Sequence, residues 1–195
     1  MTTRKIALLV LAAASLGALC LTPLFAQKRS ALPVLWALPY FHLTNSDNLL
    51  VSPASLRGKV WVADFIFTTC AGPCPAMTER MAKLQAQFKS QPDLRFVSIS
   101  VNPEYDTPEI LAAYGRANGA DFSRWSFLTG DSDAVQKLAA EGFKFGSMDQ
   151  PIMHSTRFAL VDRQGRMRGS YIATDDDAMR RLPIDIESLL QESAN

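Results

Sequence analysis

The sequence predicts an α/β fold in which a mixed central sheet is flanked by helices and preceded by a short N-terminal hairpin. Two observations support this prediction. Apolar runs rich in strand-forming residues alternate along the chain with amphipathic segments, and the last two predicted strands are joined by a tight turn. Strand–helix–strand units imply parallel strands, whereas the final turn adds an antiparallel pair.

The first predicted elements are a hairpin and a buried strand. Alternating residues on both sides of the polar turn at 45–48 predict the hairpin. The apolar run Val60–Phe67 predicts a central strand. Asp64 interrupts that run, and we expect its carboxylate to be satisfied by backbone donors.

The middle of the chain continues with two helices and a strand. Met77 and Met81 belong to an apolar stripe that repeats every three or four residues as far as Phe88, so we expect an amphipathic helix with both methionines packed in the core. A second central strand is predicted at 95–101. The next helix is expected to begin after Thr107, because threonine caps helices well and proline follows at the first helical position.

The remaining elements complete the alternation. A strand is predicted at 125–128, a helix at 131–143, two hairpin strands at 156–161 and 167–172, and a last helix at about 177–192, kinked or restarted at Pro183. Such a mixed sheet flanked by helices is the thioredoxin-like arrangement.

Composition excludes several classes of protein. With 20 basic and 19 acidic residues the net charge is +1, and a near-neutral chain lacks the basic field that non-specific nucleic-acid binding requires. An apolar content of 48% excludes a disordered chain. Three cysteines are too few for a disulfide-built scaffold, so any cysteine function must be local.

The N-terminus predicts export and membrane attachment. Arg4 and Lys5 precede 21 uncharged residues, a stretch long enough to cross a bilayer core of about 30 Å as a helix. Residues 1–26 are therefore expected to be a retained anchor or, alternatively, a cleaved signal, residues 27–40 a linker, and residues 41–195 one domain. The positive N-terminus favours an anchor in the inner membrane with the domain on the extracytoplasmic, periplasmic side.

Two cysteines carry the chemistry of the predicted domain. Cys70 and Cys74 lie where a central strand ends and a helix begins. A helix start presents free N–H groups that stabilise a thiolate, and a spacing of four lets the two sulfurs form a redox disulfide or share a metal ion. Thiolate pairs prefer soft ions such as Cu(I).

A third ligand must come from one of the two histidines. His42 lies in the predicted hairpin and is expected to be an ordinary, partly exposed strand residue. His154 lies just before a strand, in a loop that a thioredoxin-like sheet would turn towards the cysteine-bearing helix start. Two thiolates and one imidazole would suit Cu(I), and an added weak oxygen ligand would suit Cu(II).

At these residues the sequence resembles the Sco/SenC family of copper-binding proteins. The resemblance covers about residues 41–190 and includes the segments around the two cysteines together with Ser98–Pro103, Asp106–Glu109 and His154–Ser155. It implies a membrane-anchored thioredoxin-like domain in which Cys70, Cys74 and His154 bind copper. It further implies a chaperone that delivers copper to the binuclear copper centre of cytochrome c oxidase, with that subunit and another copper carrier as partners.

The same fold can serve other functions. A thiol–disulfide oxidoreductase would use Cys70 to attack a disulfide and Cys74 to resolve it, and would need no histidine. A peroxidase is disfavoured, because the peroxiredoxin pattern places a proline upstream of the cysteine and this strand has none. We therefore expect a binding protein and not a turnover enzyme, with the reductase as the alternative.

Overall fold

The computed structural model describes residues 32–148 and 155–192. Eight strands of these residues form a single sheet. They are β1 (Trp36–Ala37), β2 (Leu43–Asn45), β3 (Leu50–Val51), β4 (Val60–Ile66), β5 (Leu94–Ser100), β6 (Trp125–Thr129), β7 (Arg157–Val161) and β8 (Arg166–Ile172). Their order across the sheet is β1-β8-β7-β4-β5-β6-β2-β3.

The sheet is mixed, as the sequence predicts. β4, β5 and β6 run parallel, whereas β7, β8, β1, β2 and β3 add antiparallel neighbours on the two sides. The three parallel strands therefore end at one edge of the sheet, which we call the carboxyl edge. β7 runs against β4 and begins towards that same edge, because its last residue, Val161, pairs with Trp61 near the start of β4, whereas Ala159 pairs with Ala63 farther along it.

In the described residues, six helical segments join the strands or follow them. They are α1 (Pro53–Leu56), α2 (Cys74–Gln87), α3 (Pro108–Ala117), α4 (Ser132–Lys137), a π-helical turn (Leu138–Phe143) and α5 (Asp176–Gln191). The helix predicted at 131–143 is thus divided into an α-helical and a π-helical part. α5 runs through Pro183 as one helix, and no second start is seen there.

The alternation of side chains along β4 creates two core layers. Val62 and Ile66 face a layer formed with α2, α3 and α5, whereas Trp61 and Phe65 face a layer formed with α1, α4 and the π-helical turn. Asp64 shares its face with Val62 and Ile66, so it points into the layer of α2. Met77 and Met81 are fully buried in that layer, which confirms their predicted packing role.

Part of the predicted linker belongs to the sheet. Trp36 and Ala37 form β1, which pairs with β8. The Trp36 indole donates a hydrogen bond of 2.7 Å to the carbonyl of Gly142, and the Lys144 ammonium lies 4.1 Å from the centre of the indole ring. The segment before residue 41 is therefore fixed to the domain at least from Trp36 onwards, by contacts with residues more than 100 positions away.

The predicted anchor at 1–26 lies outside the described residues. Among residues 32–148 and 155–192, no helix combines the length and the apolar composition that crossing a bilayer requires.

Candidate metal centre

The loop between β4 and α2 carries both cysteines at the carboxyl edge. β4 ends at Ile66, and α2 begins at Cys74, as the strand–helix pattern predicts. The Cys70 amide donates 3.2 Å to the carbonyl of Phe67, and the Met77 amide donates 3.1 Å to the carbonyl of Pro73. Cys70 is thereby held in the turn before the helix, and Cys74 is its first residue.

The two cysteines are free thiols and both are buried, with 7% of Cys70 and 3% of Cys74 exposed. Ala71 and Gly72 between them are exposed, so the pair lies directly beneath a loop that meets solvent. The Gly72 amide donates a hydrogen bond of 3.4 Å to the Cys70 sulfur. The site is therefore shielded from solvent, but only by a short loop that contains two small residues.

The pKa values of the two thiols move in opposite directions. Burial alone would raise the pKa of Cys70, but hydrogen bonds from the Cys74 thiol and from the amides of Cys74 and Gly72 lower it below its usual value. Burial and, next, the hydrogen bond to Cys70 together raise the pKa of Cys74 to about 12. The pair therefore favours a thiolate at Cys70 and a proton on Cys74.

Asp64 lies in the same core layer, and the surroundings of its carboxylate differ from those that we expect from the sequence. It is fully buried, and within the described part of the chain neither carboxylate oxygen has a hydrogen-bond partner, whereas backbone donors had been expected. The backbone of β4 pairs with β5 along its whole length and with β7 at Trp61, Val62 and Ala63. Burial raises the pKa of Asp64 to about 7, and the neighbouring Ser98 hydroxyl, which does not reach it with a hydrogen bond, lowers this pKa only in part.

Two further polar residues, a tyrosine and a threonine, lie near the cysteines and Asp64, and the sequence gives no indication of them. The hydroxyls of Thr78 and Tyr114 lie 2.8 Å apart between α2 and α3. Burial raises the pKa of Tyr114, and the charges of Asp64, Cys74 and Cys70 raise it further. Tyr114 therefore senses the charge of the site, although a single tyrosine on an amphipathic helix gives no sequence signal of that.

The two histidines differ in their relation to the cysteines. His42 is exposed and lies just before β2, and β5 and β6 separate β2 from β4 in the sheet. His154 lies outside the described residues. Three residues after it, Arg157 begins β7 at the carboxyl edge, where β4 runs into the cysteine loop.

No complete metal cluster is found among the described residues: no three histidine, cysteine, aspartate or glutamate side chains there are close enough to hold an ion together. The structure brings the thiols of Cys70 and Cys74 within hydrogen-bonding reach of each other. Their role as metal ligands, like that of His154, stays a prediction.

The mixed sheet flanked by helices, with a buried pair of thiols at a strand–helix junction, defines a thioredoxin-like domain. The family model described as SCO1/SenC matches residues 37–190. The chain belongs to this family.

Known relatives agree with that assignment. A SCO1 protein homologue from Bacillus subtilis is 33% identical over 162 residues, which cover 80% of this chain and 84% of the relative. A protein from Stutzerimonas stutzeri, described as copper-binding, is 30% identical over 186 residues, which cover 87% of each.

Two solved structures share the fold. A SCO1/SenC family lipoprotein from Bacillus anthracis is 34% identical, with a TM-score of 0.74 over 83% of this chain and 100% of the other. BsSco is 32% identical, with a TM-score of 0.73 over 83% of this chain and 98% of the other; it is described as having a disulfide switch and as a member of the Sco family of cytochrome c oxidase assembly proteins. The fold class predicted from the sequence is therefore confirmed.

Proposed function

We propose that this protein binds copper through Cys70, Cys74 and His154 and delivers it to the binuclear copper centre of cytochrome c oxidase. The observation that carries the proposal is the buried pair of thiols, with one sulfur favoured as thiolate and the other protonated. Two sulfur donors form the ligand set that soft Cu(I) prefers. The copper-binding description of the Stutzerimonas stutzeri relative supports the choice of ion.

The residues of the loop prepare the pair for the ion. The amides of Gly72 and Cys74 favour the thiolate of Cys70, which gives a bound cation its first negative ligand. Cys74 must lose its proton to become the second, so uptake of the ion releases a proton and weakens as the pH falls. His154 would add the imidazole, because the chain returns to the carboxyl edge just after it, at the start of β7.

The recipient is inferred from the family. BsSco is described as a member of a family of cytochrome c oxidase assembly proteins, and we extend that role to this chain. The domain would then act on the extracytoplasmic side of the inner membrane, tethered by residues 1–26, with the copper-centre subunit and another copper carrier as its partners. Intact-mass analysis of the native protein tests the tether, since a chain that begins near Gln27 would contradict it.

Thiol–disulfide exchange is a second candidate, which the unequal pKa values favour. The Cys70 thiolate would attack a target disulfide and release one target thiolate, and Cys74, once deprotonated, would attack Cys70 and release the second. The target would gain two electrons and the pair would end as a disulfide. The same oxidation occupies both sulfurs, so it would also prevent copper binding.

Four variants test the ligand set in anaerobic titrations of reduced protein with Cu(I), against a competing chelator. The unmodified protein should bind one ion per chain. Cys70→Ser and Cys74→Ser should each lose nearly all tight binding, because a hydroxyl is a poor ligand for a soft ion. His154→Ala should weaken Cu(I) only in part, since two thiolates can hold it in a near-linear arrangement, and should weaken Cu(II) far more.

His42→Ala is the matched control and should change neither ion. Loss of the Cu(II) spectrum in His42→Ala together with its retention in His154→Ala would show that the site uses the other histidine. Absence of Cu(I) binding by the unmodified protein, together with rapid reduction of an added disulfide that His154→Ala preserves, would favour the reductase.

A further inference from the structure

Asp106 lies at the carboxyl edge, between the ends of β4 and β5, in a segment to which the proposed function assigns no role. Its side chain is fully buried. The residue comes just before the N-cap of α3, Thr107, whose hydroxyl accepts a hydrogen bond from the amide of Ile110. Its carboxylate points away from that helix cap, towards the cysteine loop.

Three donors from two neighbouring strand ends converge on this carboxylate. The Thr68 amide donates to it at 3.1 Å, and the Thr68 hydroxyl donates to its other oxygen. The Ser100 hydroxyl, at the end of β5, donates to the oxygen that the amide also contacts. Thr68 is only two residues from Cys70, so a single buried side chain holds the root of the cysteine loop against the neighbouring strand.

Ser100 and Asp106 are themselves held in place by further hydrogen bonds. The Ser100 hydroxyl accepts a hydrogen bond of 3.0 Å from the amide of Asn102, and the Asp106 amide donates 2.9 Å to the carbonyl of Asn102. The turn that carries Asp106 is therefore tied to the end of β5 by its own backbone. Asp106 is thus held in place itself and can restrict the movement of Thr68.

The hydrogen bonds that the Asp106 carboxylate makes with the described residues all come from donors, and this decides which side chain serves best there. An asparagine of the same shape would keep one accepting oxygen for the Thr68 amide and the Ser100 hydroxyl, and its N–H₂ group would donate to the Thr68 hydroxyl, which can also accept. These hydrogen bonds would be uncharged, whereas hydrogen bonds to an ionised carboxylate are roughly twice as strong. Aspartate therefore holds Thr68 more firmly than asparagine would.

We propose that Asp106 is a positioning residue for the cysteine pair. By holding Thr68, it fixes where the chain leaves β4, and with it the distance and orientation between the Cys70 and Cys74 sulfurs. Outer residues that orient the ligands of a metal typically change its affinity by about 10- to 100-fold. As regards copper this inference rests on the proposed function, but the geometry of the two sulfurs also controls their disulfide.

The test is Asp106→Asn, measured for Cu(I) affinity by chelator competition and for the dithiol–disulfide equilibrium in glutathione buffers. We expect Cu(I) affinity to fall by about tenfold or more. We also expect the disulfide to become easier to reduce by a similar factor, because a loosened loop lowers the effective concentration of one sulfur at the other.

Asp162→Asn is the matched control. It removes a second buried carboxylate, which lies just after β7. The end of β7 pairs with the start of β4, away from the cysteine loop. It should lower the stability of the fold while leaving Cu(I) affinity and the disulfide equilibrium within about twofold of the unmodified protein.

Thr68 supplies a second pair of variants should Asp106→Asn fail to fold. Thr68→Val removes the hydroxyl donor and keeps the shape, and should shift both readouts in the same direction as Asp106→Asn. Thr68→Ser keeps the hydroxyl and should restore them. Equal readouts in Thr68→Val and Thr68→Ser, or no shift in a folded Asp106→Asn, would overturn the proposal.

The two readouts separate this proposal from the function it rests on. If the unmodified protein binds no Cu(I), the proposed function fails, and the disulfide equilibrium still decides the role of Asp106. If Cu(I) binds normally and neither readout moves in Asp106→Asn, the role of Asp106 fails alone.

Discussion

Two buried aspartates, one on β4 and one just after the neighbouring strand β7, have opposite surroundings. Asp162, just after β7, accepts hydrogen bonds from the side chains of Arg166 at 2.8 Å and Arg168 at 3.0 Å, and from two backbone amides. Asp64, on β4, has no hydrogen-bond partner for either oxygen among the described residues. One carboxylate is fully paired, and the other is left unsatisfied beneath the cysteines.

The electrostatic consequences differ in sign. Burial would raise the pKa of Asp162, but the backbone and side-chain hydrogen bonds of Arg166, together with Arg168, bring it below its usual value. Burial raises the pKa of Asp64 to about 7. The end of the sheet with Asp162 is thus built for stability, whereas the carboxyl edge holds polar groups whose charge state can change with the thiols.

The largest expected effect on stability comes from Asp64→Asn. The folded-state pKa of Asp64 lies above its unfolded value, so its favourable contribution is complete below about pH 4 and is lost as the pH rises to about 7. Removing the charge should therefore stabilise the fold by up to about 4 kcal/mol at about pH 8. The gain should disappear in acid.

Denaturant unfolding of both proteins at two pH values measures this difference. Equal stability of Asp64→Asn and the unmodified protein at about pH 8 would show that Asp64 has a partner, and the contrast with Asp162 would break down.

The next largest effect is expected from Asp162→Asn, with the opposite sign. Its loss leaves the buried Arg168 guanidinium, of which 3% of the side chain is exposed, with Glu192 as its remaining ion-pair partner. Breaking a buried ion pair in this way should cost about 3 kcal/mol at neutral pH. Because the folded-state pKa of Asp162 is lowered, the cost should shrink as the pH falls through that value. A pH series of unfolding curves checks both the size and the trend; a cost that grows in acid would contradict the assignment.

The smallest effect is expected from Asp93→Asn, at the same end of the sheet as Asp162. Asp93 pairs with Lys59 at 2.7 Å and with Arg163 at 3.3 Å, but 44% of its side chain is exposed. Water and salt screen such a pair, so Asp93→Asn should cost less than about 1 kcal/mol. The same unfolding experiment in high salt should reduce the difference further. A cost as large as that of Asp162→Asn would mean that burial does not distinguish the two sites.

The parts of the fold that depend on local pattern follow from the sequence. The alternation of apolar strands and amphipathic helices predicts the mixed sheet, and the apolar stripe from Met77 to Phe88 predicts the buried face of α2. The two-residue strand at Trp36 has no such signal, because its partner in β8 lies about 130 positions away. Local propensity also cannot show that the helix after Asp131 ends in a π-helical turn.

The candidate site divides in the same way. The spacing and location of Cys70 and Cys74 are visible in the sequence, since a helix start next to a central strand is a local feature. The contact between Asp106 and Thr68 joins residues 38 positions apart through the ends of parallel strands. Whether Asp64 finds a hydrogen-bond partner depends on which donors the folded core places near it. Neither can be deduced before the strands are paired.

The most direct test of the central claim compares Cu(I) uptake by one preparation in its two redox states. Half is reduced and half is oxidised to the Cys70–Cys74 disulfide, with both states verified by thiol counting, and each is titrated anaerobically against the same chelator. A disulfide leaves no thiolate to bind the ion, so we expect one tightly bound Cu(I) per reduced chain and none per oxidised chain. Equal uptake by the two states would contradict the account, because the cysteines could not then be the ligands.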